Sequence, residues 1–321
     1  MHLFTRSVDR PVLLALRALK LGDLLVAVPA LRALRRAHPE HELVLAVPGW
    51  LEPIVDLIDA VDALLPTPGL DDLLPLTSGT VDIAVNLHGN GPESRAVIDA
   101  LGARLKYVHR STADPDGVPW LDGILERYRW SRLVAAFGAP ADPDEVAIRM
   151  PERAARVPGA AVIHVGAFYG SRQWPVERFA EVTRALSADG VRPVITGGSA
   201  DRARAEAVAA AAGMPEADVL AGRTDLSELA ALIAHASIVV SADTGAAHLA
   251  SAYATPSVVI FGPAPPEEWG PPPGPHIVLT DASRRRGETF AADPDPALLA
   301  VGSAQVLEAA RTVLRPRAGR D

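Results

Sequence analysis

The residues whose types and spacing could do chemistry gather in one stretch, Ser241-Ala242-Asp243-Thr244-Gly245-Ala246-Ala247-His248-Leu249-Ala250. An apolar run, Ser237-Ile238-Val239-Val240, leads into it and reads as a short buried strand. The acid, hydroxyl and glycine that follow, with Ala-rich residues behind them, read as a helix start. A helix N-terminus exposes unpaired N–H groups and partial positive charge, so Asp243 to Gly245 offers a seat for phosphate. His248 stands one turn beyond Thr244, which puts both side chains on one helix face. An N-cap followed by a buried polar histidine accounts for the same residues equally well.

Further candidates sit at the ends of other apolar runs. Ala160 to Val165 is followed by Gly166-Ala167-Phe168-Tyr169-Gly170-Ser171-Arg172-Gln173-Trp174-Pro175. Its glycines permit close approach of backbone to a ligand, and Arg172 suits a bidentate contact with a diphosphate. Gly197-Gly198 follows the run Val191 to Thr196, either as a phosphate or ribose contact or equally as a tight turn, with Asp201 placed for a ribose hydroxyl. Near the N-terminus, Gly22 and Asp23 follow the run Pro11 to Leu16. Asp23 is either a helix N-cap or a carboxylate held at the C-terminal edge of a strand, where open α/β sheets bind ligands. His88 falls in a comparable loop. Arg104, Lys106, His109, Arg110, Arg127, Arg129 and Arg132 concentrate positive charge, either as a solvated face or as a seat for an anionic acceptor.

Strands and helices must alternate to position these loops. Strand-like runs at Glu42–Val47, Val61–Leu65, Val81–Leu87 and Ser257–Phe261 join those above. Helical patterns cover Leu24–Ala37, Trp50–Ile58, Glu93–Leu101, Val176–Ala188 and Ala304–Leu314. The alternation predicts an α/β chain of doubly wound parallel sheets. The prolines from Pro140 to Pro158 mark a linker, so two Rossmann-like domains are expected, 1–153 and 154–321. The last helix is free to pack back on the first domain. Arg284-Arg285-Arg286 reads as part of a polar, mobile segment.

Composition narrows the function. A net charge of −8 argues against a general nucleic-acid binder, and the absence of cysteine rules out a thiol nucleophile or a Cys-based metal site. No apolar run approaches the ~18 residues of a membrane span. The charged residues among the first twenty-three make a poor signal peptide, so a cytoplasmic protein is expected. No Gly-x-Gly-x-x-Gly follows the first strand, which disfavours a dinucleotide dehydrogenase.

Taken in order, these motifs resemble those of the family 9 glycosyltransferases, whose best-known members are the ADP-heptose:lipopolysaccharide heptosyltransferases. The resemblance runs through Leu21-Gly22-Asp23, Pro29 to Arg35, Gly166 to Pro175, Gly197-Gly198, Leu220 to Thr224, Asp243 to Ala250 and Phe261-Gly262-Pro263. It implies a GT-B fold, with an acceptor domain followed by a sugar-nucleotide domain. It implies an inverting transfer from a nucleotide-diphosphate sugar, by family default ADP-heptose, to a hydroxyl of a glycan, glycolipid or other acceptor. Asp23 matches the proposed general base. Gly166, Ser171, Arg172, Gly197, Gly198, Asp201, Asp243, Thr244, Gly245 and His248 fall where the donor would bind. No cofactor and no obligatory metal are implied, and contact with the membrane is at most peripheral, at its inner face. The chain departs from the family in Arg172, where lysine is usual, in Val165, where proline is common, and in the cysteine-free segment Arg284–Phe290. A GT-B-type nucleotide-sugar epimerase and a non-catalytic nucleotide-sugar binder are the alternative readings.

Overall fold

The computed structural model describes residues 2–4 and 10–315. The chain divides into two compact units, Met1–Arg149 and Met150–Asp321.

The first unit contains β1 (His2–Leu3), β2 (Val12–Leu16), α1 (Leu21–Leu25), α2 (Val28–Ala37), β3 (Glu42–Val47), α3 (Glu52–Val55), β4 (Ala63–Pro66), β5 (Ile83–Asn86), α4 (Pro92–Ala100), β6 (Leu105–Tyr107) and α5 (Glu126–Ala136). Its strands form one six-stranded sheet in the order β1-β4-β3-β2-β5-β6, with every pair parallel. Every residue of β2 is buried, as a parallel strand covered on both faces requires, and this is why it reads as an unbroken apolar run. Leu14 lies between Val44 and Ala84, and Leu16 pairs with Asn86.

The helix expected over 24–37 is two helices. α1 starts earlier, at Leu21, and the helical run breaks before α2, which carries Pro29 at its start. A proline ring cannot continue a helix, because it lacks the N–H and collides with the carbonyl four residues back. β1, β6 and α5 were not anticipated. β1 and β6 are too short to show a period, and the charges of α5 disguise its buried face, Arg127, Arg129, Trp130, Leu133 and Val134.

The second unit contains β7 (Ala161–His164), α6 (Val176–Ala188), β8 (Pro193–Thr196), α7 (Arg202–Ala212), α8 (Leu226–Ala234), β9 (Ile238–Ala242), α9 (Gly245–Ala252), β10 (Ser257–Ile260), α10 (Pro266–Trp269), β11 (His276–Leu279), α11 (Pro296–Ala300) and α12 (Ser303–Leu314). Its five strands are parallel, in the order β11-β10-β9-β7-β8. Ile163, Ile195, Val240 and Ile260 from the sheet pack with Phe179 and Leu186 of α6 and Val306 and Ala310 of α12. The closing helix thus lies on the second sheet's own core, and Arg311 ties it to Asp189 at the end of α6 (2.7 and 2.9 Å).

Candidate functional site

In both sheets the strand order reverses beside the first strand of the central pair. β2 has β3 on one side and β5 on the other, and β7 has β8 on one side and β9 on the other. Loops leaving the two strands at such a reversal diverge, and the crevice between them is where open α/β sheets take ligands. In the first unit those loops carry Asp23 and His88. In the second they carry Gly166–Pro175 and Asp243–Gly245. Leu16 pairs with Asn86, so β2 and β5 end level, and His164 pairs with Ser241, so β9 runs one residue beyond β7.

Asp23 is the third residue of α1, not its N-cap. Lys20 holds the cap position, and the Lys20 N–H donates back to Asp23 Oδ2 at 3.3 Å. The carboxylate is about a quarter exposed and faces Arg17 Nη2 at 3.5 Å. Arg17, which the sequence did not single out, is buried just beyond β2. Its Nε donates to the Asp23 carbonyl at 2.8 Å, its Nη1 donates to the Leu87 carbonyl, and its guanidinium lies 4.7 Å from the Trp130 ring centroid. Glu126 of α5 is its second counter-ion, at 3.9 Å. Arg17 therefore ties the loops after β2 and β5 to α5. His88 belongs to this cluster electrostatically: burial and the Arg17 charge push its imidazole down to about 4, against an opposing pull from Asp23. It is neutral at pH 7.

The arginine-rich stretch is largely neutralised by its own surroundings. Arg104 pairs with Asp82, Lys106 with Asp99 and Asp114, Arg127 with Asp144, and Arg129 with Glu126, while Arg132 donates to the Pro119 carbonyl. Arg129 also lies 3.8 Å from the Trp120 ring centroid. These contacts favour a structural role over an anion seat.

In the second unit, Thr244 is the N-cap residue of α9 and its hydroxyl makes no capping bond. It lies 3.4 Å from the Ser241 hydroxyl. Asp243 is buried between two groups, with Arg172 Nε 3.4 Å from one carboxylate oxygen and His248 Nε2 3.7 Å from the other. The Arg172 contact runs through Nε. Beside His248, a cavity of about 10 Å³ bounded by Phe261 and Trp269 holds no more than one water. This cavity is too small for a sugar or nucleotide.

Two of the glycines, Gly166 and Gly197, leave little room for a side chain. A Cβ on Gly166 would lie 2.8 Å from Asp201 Oδ2 and 2.9 Å from His164 Nε2, and one on Gly197 would lie 2.8 Å from the Asp201 Cβ. Asp201 turns back on its own loop, accepting from the Gly198 N–H at 2.8 Å, so one of its oxygens is already engaged. Ser171 is fully buried and donates from Oγ to the Thr289 carbonyl (2.6 Å) and from its N–H to the Ala291 carbonyl (2.9 Å).

The segment expected to be mobile is instead fastened here. Arg285 donates to the Gly262 carbonyl (2.9 Å) and to Thr280 Oγ1 (3.0 Å). The N–H groups of Arg286 (3.2 Å), Gly287 (3.3 Å) and Ala297 (2.9 Å) converge on the buried carboxylate of Asp295. The Asp295 N–H itself donates to the Ser171 carbonyl at 3.1 Å. Asp295 escaped the sequence reading because it is an isolated acid in a proline-rich stretch. Its one signal is its place directly before Pro296, the N-cap–N1 pattern of a helix start.

The family model for glycosyltransferase family 9 (heptosyltransferase) matches residues 125–289, just over half of the chain. Lipopolysaccharide heptosyltransferase 3 of Escherichia coli is 35% identical over 100 residues, 30% of this chain and 29% of that protein. The chain thus matches the curated relatives over about a third of their length or less. Among solved structures, ADP-heptose lps heptosyltransferase II of E. coli aligns with a TM-score of 0.75 at 20% identity, covering 94% of this chain and 98% of that one. The dodecameric iron-containing heptosyltransferase TibC of enterotoxigenic E. coli aligns with a TM-score of 0.64 at 18% identity, covering 97% and 78%. At such identities the structural likeness speaks to the fold, which is GT-B. With more than half of its residues under the family model, the chain belongs to glycosyltransferase family 9.

Proposed function

We propose that the protein is an inverting, heptosyltransferase-like enzyme that moves a sugar from a nucleotide-diphosphate donor, ADP-heptose by family default, to a hydroxyl of a glycan or glycolipid acceptor. The observation that carries this reading is the position of Asp23. Its partly exposed carboxylate stands at the strand-order reversal of the first sheet, on a one-turn helix fastened by buried Arg17. In this reading the first unit takes the acceptor and the second takes the donor.

Asp23 removes the proton of the acceptor hydroxyl as that oxygen attacks the anomeric carbon. The bond from that carbon to the diphosphate breaks as the new bond forms, and the nucleoside diphosphate leaves with the electron pair. Charge growing on the diphosphate meets the N–H groups at the start of α9, the Thr244 hydroxyl and the terminal nitrogens of Arg172. Buried Asp243 orients Arg172 and His248. Gly166, Gly197 and Gly198 let the backbone approach the nucleotide, and Ser171 and Asp201 hold the loops that present it. Protein groups supply the stabilisation in this scheme; the iron in TibC's name is a statement about TibC. None of the described helices is long and apolar enough to cross a membrane, so any contact with a lipid-linked acceptor is peripheral.

The test pairs two variants on a panel of nucleotide sugars. Asp23→Asn loses about 10²–10⁴ in transfer rate, the usual worth of a positioned general base, and keeps donor affinity by calorimetry. Arg172→Ala weakens donor affinity instead. Lost donor affinity in Asp23→Asn, or unchanged affinity in Arg172→Ala, contradicts the assignment. Incubating donor with enzyme alone separates transfer from epimerisation, because only an epimerase returns an isomerised sugar nucleotide.

A further inference from the structure

A second cluster with ligand chemistry lies at the opposite edge of the first sheet. The turn between α2 and β3 reads His38-Pro39-Glu40-His41. One donor atom from each of His38, Glu40 and His41 lies within 4.8 Å of the other two. His41 Nδ1 is 2.8 Å and His38 Nδ1 is 3.9 Å from Glu40 Oε1. Ligands at about 2.0–2.1 Å around a tetrahedral zinc ion stand about 3.3–3.4 Å apart, a spacing that these two distances straddle.

The surroundings of the two imidazoles give the second line of evidence. Metal-binding histidines almost always direct the other ring nitrogen at a carboxylate or comparable acceptor, which fixes the ring. His41 Nε2 meets Asp82 Oδ2 at 2.8 Å, and His38 Nε2 meets the Tyr107 hydroxyl at 3.1 Å. Asp82 is in turn held by Arg104 (2.7 and 3.0 Å), and Tyr107 stacks on Phe137 at 4.5 Å. Both rings therefore present Nδ1 towards Glu40 with Nε2 already committed.

The turn is also held rigid. The His38 N–H donates to the Leu34 carbonyl and the His41 N–H to the His38 carbonyl. Arg10 donates to the carbonyls of Pro39, Glu40 and His41, and Arg35 to that of His41. Arg10 brings positive charge close to the cluster, and Asp62 faces it at 3.5 Å. Glu40 is the exposed member, free to swing by the half-ångström or so that closing the site requires.

We propose that His38 Nδ1, His41 Nδ1 and Glu40 form a binding site for one divalent transition-metal ion, with Zn²⁺ the best fit to two imidazoles and a carboxylate. A solvent molecule fills the fourth position. The ion replaces the proton shared between His41 Nδ1 and Glu40. It clips the end of α2 to β3 and, through Asp82 and Tyr107, to β5 and β6. The site lies before β3, whereas Asp23 lies after β2 in the same parallel sheet, so the ion acts on stability and not on transfer.

The test uses the full chain without a histidine tag, stripped with chelator and titrated with Zn²⁺ alone. The expected result is one equivalent bound with Kd at or below about 10 µM, and a melting temperature that rises with free metal. Glu40→Gln and His38→Ala are each expected to weaken binding at least about tenfold, the scale on which metal sites respond to lost support. Glu40 is exposed, so Glu40→Gln leaves the metal-free melting temperature in place and separates loss of a ligand from loss of the fold. Co²⁺ bound in the same place should give the intense visible bands of a four-coordinate ion. Absence of stoichiometric Zn²⁺ binding overturns the proposal, as does binding undiminished in both variants, which would assign the metal to other histidines.

Discussion

Asp295 carries more than a short helix. It is fully buried, and its carboxylate accepts from three N–H groups, of Ala297, Arg286 and Gly287. Asp295→Ala leaves all three N–H donors without their acceptor. The Ala297 amide is left dry, with a cost of about 2 kcal/mol for a buried unsatisfied donor. Arg286 and Gly287 lie in exposed positions, so water replaces part of their loss, at about 0.5 kcal/mol each. The total is about 3 kcal/mol, above the typical ~1 kcal/mol of an N-cap. For a unit of this size that is a fall in Tm of about 6–12 °C. Asp295→Asn keeps one carbonyl oxygen and should cost about 1 kcal/mol. Thermal unfolding gives the totals, and hydrogen exchange at the Ala297 amide shows whether the loss begins there. Donor affinity should fall in the Ala variant, because the loop that loosens is bonded to Ser171, the neighbour of Arg172. An Ala variant within 1 kcal/mol of wild type, or an Asn variant as damaged as the Ala one, refutes the reasoning.

Two further outcomes follow from the first unit. His109 is buried at 4.8 Å from the Trp120 ring and 5.7 Å from the Trp130 ring, and neither ring nitrogen has a protein partner. Burial, with the charges of Arg129 and Arg132, pushes it down to about 4, below its unfolded value of 6.5. Between those values the unfolded chain binds the extra proton, so this contribution is complete above pH 6.5 and is lost as pH falls towards 4. The loss reaches about 2 kcal/mol near pH 5, and His109→Phe should remove it while leaving stability at neutral pH close to wild type. Urea unfolding at the two pH values checks this, and an unchanged acid slope counts against it. Arg17→Lys keeps the charge but cannot span the carbonyls of Asp23 and Leu87 together. It should lower the transfer rate with donor affinity unchanged, and equal loss of both would show a collapse of the fold instead.

Much of the scaffold can be read from the chain. β2 is a continuous apolar run, and β7 and β9 open on one, because both faces of a parallel strand are covered; α6 spans the residues its periodicity predicts, with Pro175 at its N-cap. The glycines at 166 and 197 also stand where a Cβ would force the Asp201 or His164 side chain to move. What the sequence hides is made of long-range pairs. Arg17 looks like any charge after a strand until Leu87 and Glu126, 70 and 109 positions away, close around it. The basic stretch from 104 to 132 reads as a solvated face or an anion seat until its counter-ions arrive from Asp82, Asp99, Asp114 and Asp144. Asp295 gives no local sign that Ser171 waits on the other side of its amide. In each case the chemistry depends on a partner that only the fold supplies.

The seam between Ser171 and the 289–295 segment has a consequence for engineering. A methyl group on Gly170 would sit 1.5 Å from the Ala292 carbonyl oxygen, so the two strips are in contact through their main chains. Neither can be exchanged for a relative's version alone, because the replacement would meet a backbone shaped for something else. Any graft of a relative's loop at this seam has to transplant 166–175 and 285–297 as one cassette.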